Sequence, residues 1–266
     1  MAASFTPILF RSILFIAAFF CAPFGALANN LNANANYVVT LRGVNISTVS
    51  VGFKDNGQNY SVNILGDVTG LASLVAAGTA RFASSGNSSG DQLQSERFEL
   101  ETIANDQTFN VMFQANQGNV TSSQVIPPLS QNKNRVPIVR KHRQNINDPI
   151  ASFFLKADRL EPALCDRQLK VYTGVERYNI DLKFAKEQTA TSKATGYQGP
   201  VILCTMRYNP ISGHFTNSDT TTYMQSNQRF LIWYAPLGQS GYMIPYRVLV
   251  GTAFGDLSMV LTRLNY

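Results

Sequence analysis

The chain reads as an all-β protein built on one curved or partly closed antiparallel sheet, a half-barrel or spiral of about eleven strands with two short helices. Two observations predict this. Apolar residues recur with a period of two over most of the chain, as in Tyr178, Ile180, Leu182 and Phe184 against Asn179, Asp181 and Lys183, which sends one set of side chains to a core and the other to water. Turn residues punctuate these runs at short intervals, so successive strands are neighbours.

The first 28 residues differ from the rest. They carry one charge, Arg11, then an apolar run Ile13–Phe20 and Ala26-Leu27-Ala28 before an Asn-rich segment, the pattern of a secretory leader with an A-x-A cleavage site. The run is short for a bilayer span, which needs about 20 residues. Cleavage after Ala28 leaves residues 29–266 as a single antiparallel β domain and removes Cys21, whose neighbour Phe20 is too bulky for lipoprotein processing. The mature chain is then expected in an oxidising compartment, with Cys165 and Cys204 as its only cysteines, and a disulfide is the expected use of the pair.

In the mature chain, Tyr37, Val39 and Leu41 begin the first strand and Val44–Phe53 forms the second, closed by the turn Asp55-Asn56-Gly57. Tyr60, Val62 and Ile64 make the third. Between Gly70 and Gly78, Leu71, Leu74 and Val75 fall at helical spacing. Strands resume at Ala80–Ser84, at Phe98 and Leu100, and at Phe109, Val111 and Phe113. From Ile126 periodicity stops, and a long surface loop is expected. Asp148 then caps a helix with Pro149 in its first turn and Ile150, Phe153, Phe154 and Ala157 on one face. The unit Cys165–Cys204 follows as strand, turn, long strand and return strand. Asn209–His214 reads as a turn and Thr216–Gln228 as a polar loop. Phe230, Ile232 and Tyr234 share one face of the next strand while Leu231 and Trp233 occupy the other; a strand apolar on both faces is covered twice or faces a cavity. Tyr246, Val248 and Val250 continue the sheet, and Leu257–Tyr266 closes it.

Several stretches together resemble one family: Asp148-Pro149-Ile150, Cys165, Val171-Tyr172-Thr173-Gly174 with Arg177-Tyr178, Cys204 followed by Tyr208–His214, and Ile244-Pro245-Tyr246-Arg247 with Gly251. The family is the exported proteobacterial set known as domain of unknown function 3108. The resemblance implies a Gram-negative periplasm and a β-rich fold, and it implies no activity. One turn departs from the expected Asp-Gly and reads Thr173-Gly174.

No catalytic residue is assigned. There is no G-x-S-x-G elbow, and His214 in a Ser-Gly-His turn is the one base that serine chemistry would have to use. With two histidines and no Cys-x-x-Cys, neither a metal site nor a cofactor is expected. Cleavage removes one cation, leaving 21 basic against 16 acidic residues, a net charge of +5. Lys133, Arg135, Arg140, Lys141 and Arg143 equal that net charge and form a candidate loop for an anionic partner, a lipid or envelope surface or another envelope protein, rather than nucleic acid. Phe153, Phe154, Leu231 and Trp233 are the candidate walls of an apolar cavity. The expected function is thus a periplasmic β protein that binds or carries an apolar, lipid-like ligand or serves as an envelope scaffold, not membrane-spanning once its leader is cut. An outer-membrane barrel and an envelope hydrolase are the alternatives.

Overall fold

A computed structural model describes residues 30–69 and 78–266. The expected leader, Cys21 and the helix expected from Leu71, Leu74 and Val75 lie outside the described residues.

Two meanders make the sheet. The first runs β1 (Leu31–Leu41), β2 (Val44–Asp55), β3 (Asn59–Val68), β4 (Gly78–Asn87), β5 (Gln94–Ala104), β6 (Gln107–Asn116) and β7 (Asn119–Ile126). The second comprises β9 (Arg167–Tyr172), β10 (Arg177–Ala190), β11 (Gly199–Ser212), β12 (Phe230–Pro236), β13 (Tyr242–Thr252) and β14 (Gly255–Asn265), with a two-residue strand β8 (Leu155–Lys156) pairing β13 ahead of it. The last strand closes back on the first: β14 pairs antiparallel with β1, so the spatial order is β7 through β1, then β14 through β9. Among the described residues fourteen strands replace the expected eleven or so. The strand β7 escaped notice because NVTSSQVI has too few apolar residues to show a period, and β8 is too short to have one.

Three hairpins of the first meander turn through two consecutive residues of positive φ: Arg42 and Gly43, Asn105 and Asp106, Gln117 and Gly118. That backbone twist matches the twist of the flanking strands. Alternation then fixes which face is covered. Phe53, Val62, Phe98 and Phe113 on one meander and Leu169, Ile180, Leu182, Ile202 and Ile232 on the other are buried. Phe184 breaks the expected series and is 42% exposed, because one residue bulges out between it and Lys186 as the strand leaves the covered region.

Two helical expectations are corrected. After Asp148 the chain makes only a 3₁₀ turn, Ala151–Phe153, before Leu155 and Lys156 pair with Met243 and Tyr242; strand pairing takes the backbone groups that a longer helix would need. Conversely, the expected loop contains the one α-helix found among the described residues, α1 (Asp219–Ser226), started by the Ser218 hydroxyl, which accepts from Thr221 N–H at 3.2 Å. Its sequence DTTTYMQS has no apolar stripe to announce it. The expected turn Asn209–His214 is instead largely strand: β11 runs to Ser212, and Gly213 makes the turn.

The sheet curls until its two ends meet. Tyr172 of β9 packs on Phe113 of β6 with ring centroids 5.2 Å apart. Gly174, at φ +86°, sits against Val111; a Cβ there would lie 2.2 Å from Val111 Cγ1. The chain around Asn147 seals the seam. Its backbone bonds to β9 through Lys170 O and Tyr172 N–H, at 2.8 and 2.9 Å, while its side-chain amide reaches Leu93 O and Ser95 N–H beside β5. A free sheet edge is thereby covered.

The candidate site is an apolar cavity between the meanders

Where the two meanders face each other they leave a cavity of about 620 Å³. Val49, Val51, Ile64 and Phe82 line it from β2–β4, and Met206, Ile232, Val248 and Met259 from β11–β14. Strand alternation puts these side chains on one face, and curling brings the two sets together. Pro149, Ile150, Phe153 and Phe154 complete the wall. Asp67 is the one charged residue on the lining among the described residues. Tyr37 also lines it, but its hydroxyl is spent on Pro245 O at 2.9 Å, and burial pushes its ionisation far up.

The segment that carries Phe153 and Phe154 is anchored by a buried polar chain. The Asp148 carboxylate, fully buried, accepts from Ile150 and Ala151 N–H at 2.6 and 2.8 Å and from the Ser84 hydroxyl at 2.5 Å. Ser84 Oγ in turn accepts a hydrogen bond from the Tyr60 hydroxyl, 2.8 Å away. Burial raises the carboxyl above its ordinary range, against the pull of these donors. A second buried acid, Asp55, accepts from Tyr242 OH at 2.6 Å, from Ser88 OH at 2.5 Å and from Gly57 N–H at 2.9 Å. Both carboxylates are saturated by protein donors, which is the chemistry of an anchor rather than of a reactive acid.

Cys165 and Cys204 are bonded, with Cα atoms 5.5 Å apart and both residues buried, tying the turn before β9 to the middle of β11. A family model described as "Protein of unknown function (DUF3108)" matches residues 36–262. The chain belongs to that family. Over the same fold, this DUF3108 chain is similar to a β-barrel-like protein of domain of unknown function DUF1849 from Brucella abortus, at 11% identity and a TM-score of 0.51, covering 88% of this chain and 97% of that one. That likeness is one of fold. No curated protein matches.

The departure at Thr173 has a local reason in this DUF3108 chain. Its hydroxyl accepts from Glu176 N–H at 2.9 Å and from Val175 N–H at 3.4 Å, closing the β9–β10 turn with the side-chain oxygen that an Asp would also supply.

The residues singled out in the sequence fall into separate places. Phe153 and Phe154 stand on the cavity wall. Leu231 and Trp233 stand on the opposite face of β12 from the cavity-lining Ile232. Trp233 donates to Gln188 Oε1 at 2.7 Å and lies under the Arg247 guanidinium. The β10–β11 connection packs on the neighbouring strands, where Gly196 N–H bonds Leu261 O of β14 and Tyr197 packs on Tyr246 of β13. The doubly apolar strand thus faces the cavity through Ile232, while Leu231 and Trp233 on its other face are half-buried. Of the five basic residues, Lys133, Arg140, Lys141 and Arg143 are exposed, the last three on or beginning a 3₁₀ turn. Arg135 is apart from them: its guanidinium donates to Gly213 O and Val175 O, each at 2.7 Å. His214 has a buried Nδ1 with no partner among the described residues. The cavity walls from β2–β4, β13 and β14 went unnoticed in the sequence because an inward strand residue looks the same whether it meets another side chain or a space.

Proposed function

We propose that this DUF3108 chain is an exported envelope protein that holds an apolar, acyl-like ligand between its two meanders. The cavity carries the proposal: about 620 Å³ lies within the range of small-molecule sites, and walls of Val, Ile, Phe and Met with one acid offer burial without hydrogen bonds. A leader ending at Ala28 and a bonded cysteine pair support passage to an oxidising compartment. The exposed Lys133, Arg140, Lys141 and Arg143 suit contact with an anionic surface from which such a ligand would be collected.

An outer-membrane barrel is the weaker reading. It asks for an apolar outer band, and the face of β4 and β5 opposite the core carries the ion pair Arg81–Glu101 at 2.9 Å, beside Arg97–Glu99.

The test is binding of cis-parinaric acid to delipidated protein, followed by fluorescence, in the wild type and in Val248→Trp, which fills the cavity from β13. Saturable binding that drops by roughly tenfold or more in the filled variant is expected, equivalent to about 1.4 kcal/mol. Equal binding by both proteins, or none by the wild type, would overturn the proposal. Intact mass of protein from a periplasmic extract, beginning at Asn29 and two hydrogens light, checks export and the bridge.

A further inference from the structure

Beyond the apolar cavity, the covered face of the second meander continues into a cleft of mixed lining, with Ile180, Phe215 and Met224 beside its polar groups. Tyr178 of β10 and Tyr208 of β11 stand there with ring centroids 5.1 Å apart, roofed by the first turn of α1 at Thr220 and Thr221, with Glu176 at the rim. Register explains the neighbourhood: Tyr208 pairs with Ile180, whose side chain belongs to the core beside Ile232. The cleft and the cavity are therefore consecutive stations on one sheet face. Phe153 and Phe230 line both, so the two spaces share a wall made of two aromatic side chains.

The second station adds hydrogen-bonding groups that the cavity lacks. Neither Tyr178 nor Tyr208 has a hydrogen-bond partner for its hydroxyl among the described residues, and Glu176 makes no side-chain hydrogen bond there either. Three polar groups thus converge on a space of about 460 Å³ with their bonding capacity unspent. Burial raises the Glu176 carboxyl, with His214 and Arg135 drawing it back down. An anionic head would meet that carboxylate, while the Arg135 guanidinium beside it is already committed to two carbonyls. A hydroxylated head meets two phenols that donate and accept, a carboxylate that accepts, and two ring faces for its C–H groups.

We infer that the cleft is the head-group end of the cavity and takes the neutral, hydroxyl-bearing head of a single-tailed amphiphile, of the glycerol or sugar ester kind, with its tail beyond Phe153 and Phe230. The inference rests on the cavity being a ligand site, and its test keeps the two apart.

Displacement of cis-parinaric acid is measured with 1-oleoylglycerol, oleic acid and oleoyl lysophosphatidic acid, which share one tail and differ in head. The wild type prefers 1-oleoylglycerol over the phosphate by about tenfold or more, a difference of the size that one unpaired charge commands. Tyr178→Phe with Tyr208→Phe, which keeps the rings and removes both hydroxyls, weakens 1-oleoylglycerol by roughly fivefold or more and weakens oleic acid and cis-parinaric acid less. Glu176→Gln narrows the preference by improving the phosphate. Equal affinity for the three ligands in the wild type, or equal loss of all three in the tyrosine variant, would overturn the head-group assignment while Val248→Trp still reports on the cavity. Absence of any binding, cis-parinaric acid included, overturns both.

Discussion

The Ser84 hydroxyl donates a 2.5 Å hydrogen bond to the Asp148 carboxylate, joining the fourth strand of the first meander to the segment that seals the sheet and walls the cavity. The two residues are 64 positions apart in sequence, so the bond forms only when the sheet has curled. It holds the cavity wall as a consequence of closure.

Asp148→Ala strands the N–H groups of Ile150 and Ala151 and the Ser84 hydroxyl in the interior, and a loss of about 3–5 kcal/mol is expected in denaturant unfolding. Asp148→Asn keeps an oxygen for the two N–H groups and costs less. The acid itself is pH-linked. Its folded value lies above the unfolded 3.8, so the native state keeps the proton where the unfolded chain has lost it. Its contribution is full below 3.8 and falls as pH rises toward the folded value. Asp148→Asn should flatten that limb of the stability profile, and a variant profile parallel to the wild type would contradict the assignment.

The Cys165–Cys204 bond closes a span of 39 positions, for which chain entropy gives about 4 kcal/mol, or roughly 8–16 °C in Tm for a domain of this size. Replacing both cysteines by Ser should lower Tm by that amount in calorimetry. Because both residues are buried, dithiothreitol should act on the native protein only as fast as it opens. Reduction within minutes at low temperature, with no fall in Tm, would argue against a structural bond.

How much of this was legible beforehand depends on what each element needed. Strand alternation at Ile180 and Leu182, the turn at Gly57 and the cysteine pair are local or compositional signals, and they place most of the sheet. Curling is not local: nothing in Asn147 announces that one residue will bond β9 through its backbone and β5 through its side chain. The cavity suffers most from this. Phe153 and Phe154 stood out as adjacent aromatics, but Val49, Ile64, Val248 and Met259 come from strands brought together only by the β1–β14 closure. Trp233 stood out equally and belongs to the other face, since a strand with two apolar sides does not say which side is hollow.

Gly174 and Val111 offer a direct probe of the curl. Gly174→Ala meets two penalties, a left-handed φ of +86° and a Cβ 2.2 Å from Val111 Cγ1, together about 2–4 kcal/mol. Val111→Ala in the same chain removes the collision and leaves the backbone cost. The double variant should therefore lose less than the sum of the singles, by about 1 kcal/mol or more in a double-mutant cycle. Strict additivity would mean that the β9–β10 turn does not rest on β6.

The five basic residues separate into a clamp and a surface, and stability measurements distinguish them. Arg135 holds Gly213 O and Val175 O with two bonds of 2.7 Å and lies over the Phe215 ring, pinning the loop to the β9–β10 and β11 turns. Arg135→Ala forfeits two charge-assisted bonds and should cost about 2–3 kcal/mol. Lys133, Arg140, Lys141 and Arg143 are exposed, and no side-chain hydrogen bond holds any of them among the described residues, so replacing all four by Ser should change stability by less than about 0.5 kcal/mol per site. The same fourfold variant should release the protein from vesicles containing anionic phosphatidylglycerol at low salt, with wild-type binding weakening as salt is raised. Unchanged vesicle association in the fourfold variant would remove these four residues from the anionic-surface reading and leave Arg135 with the structural role that its geometry gives it.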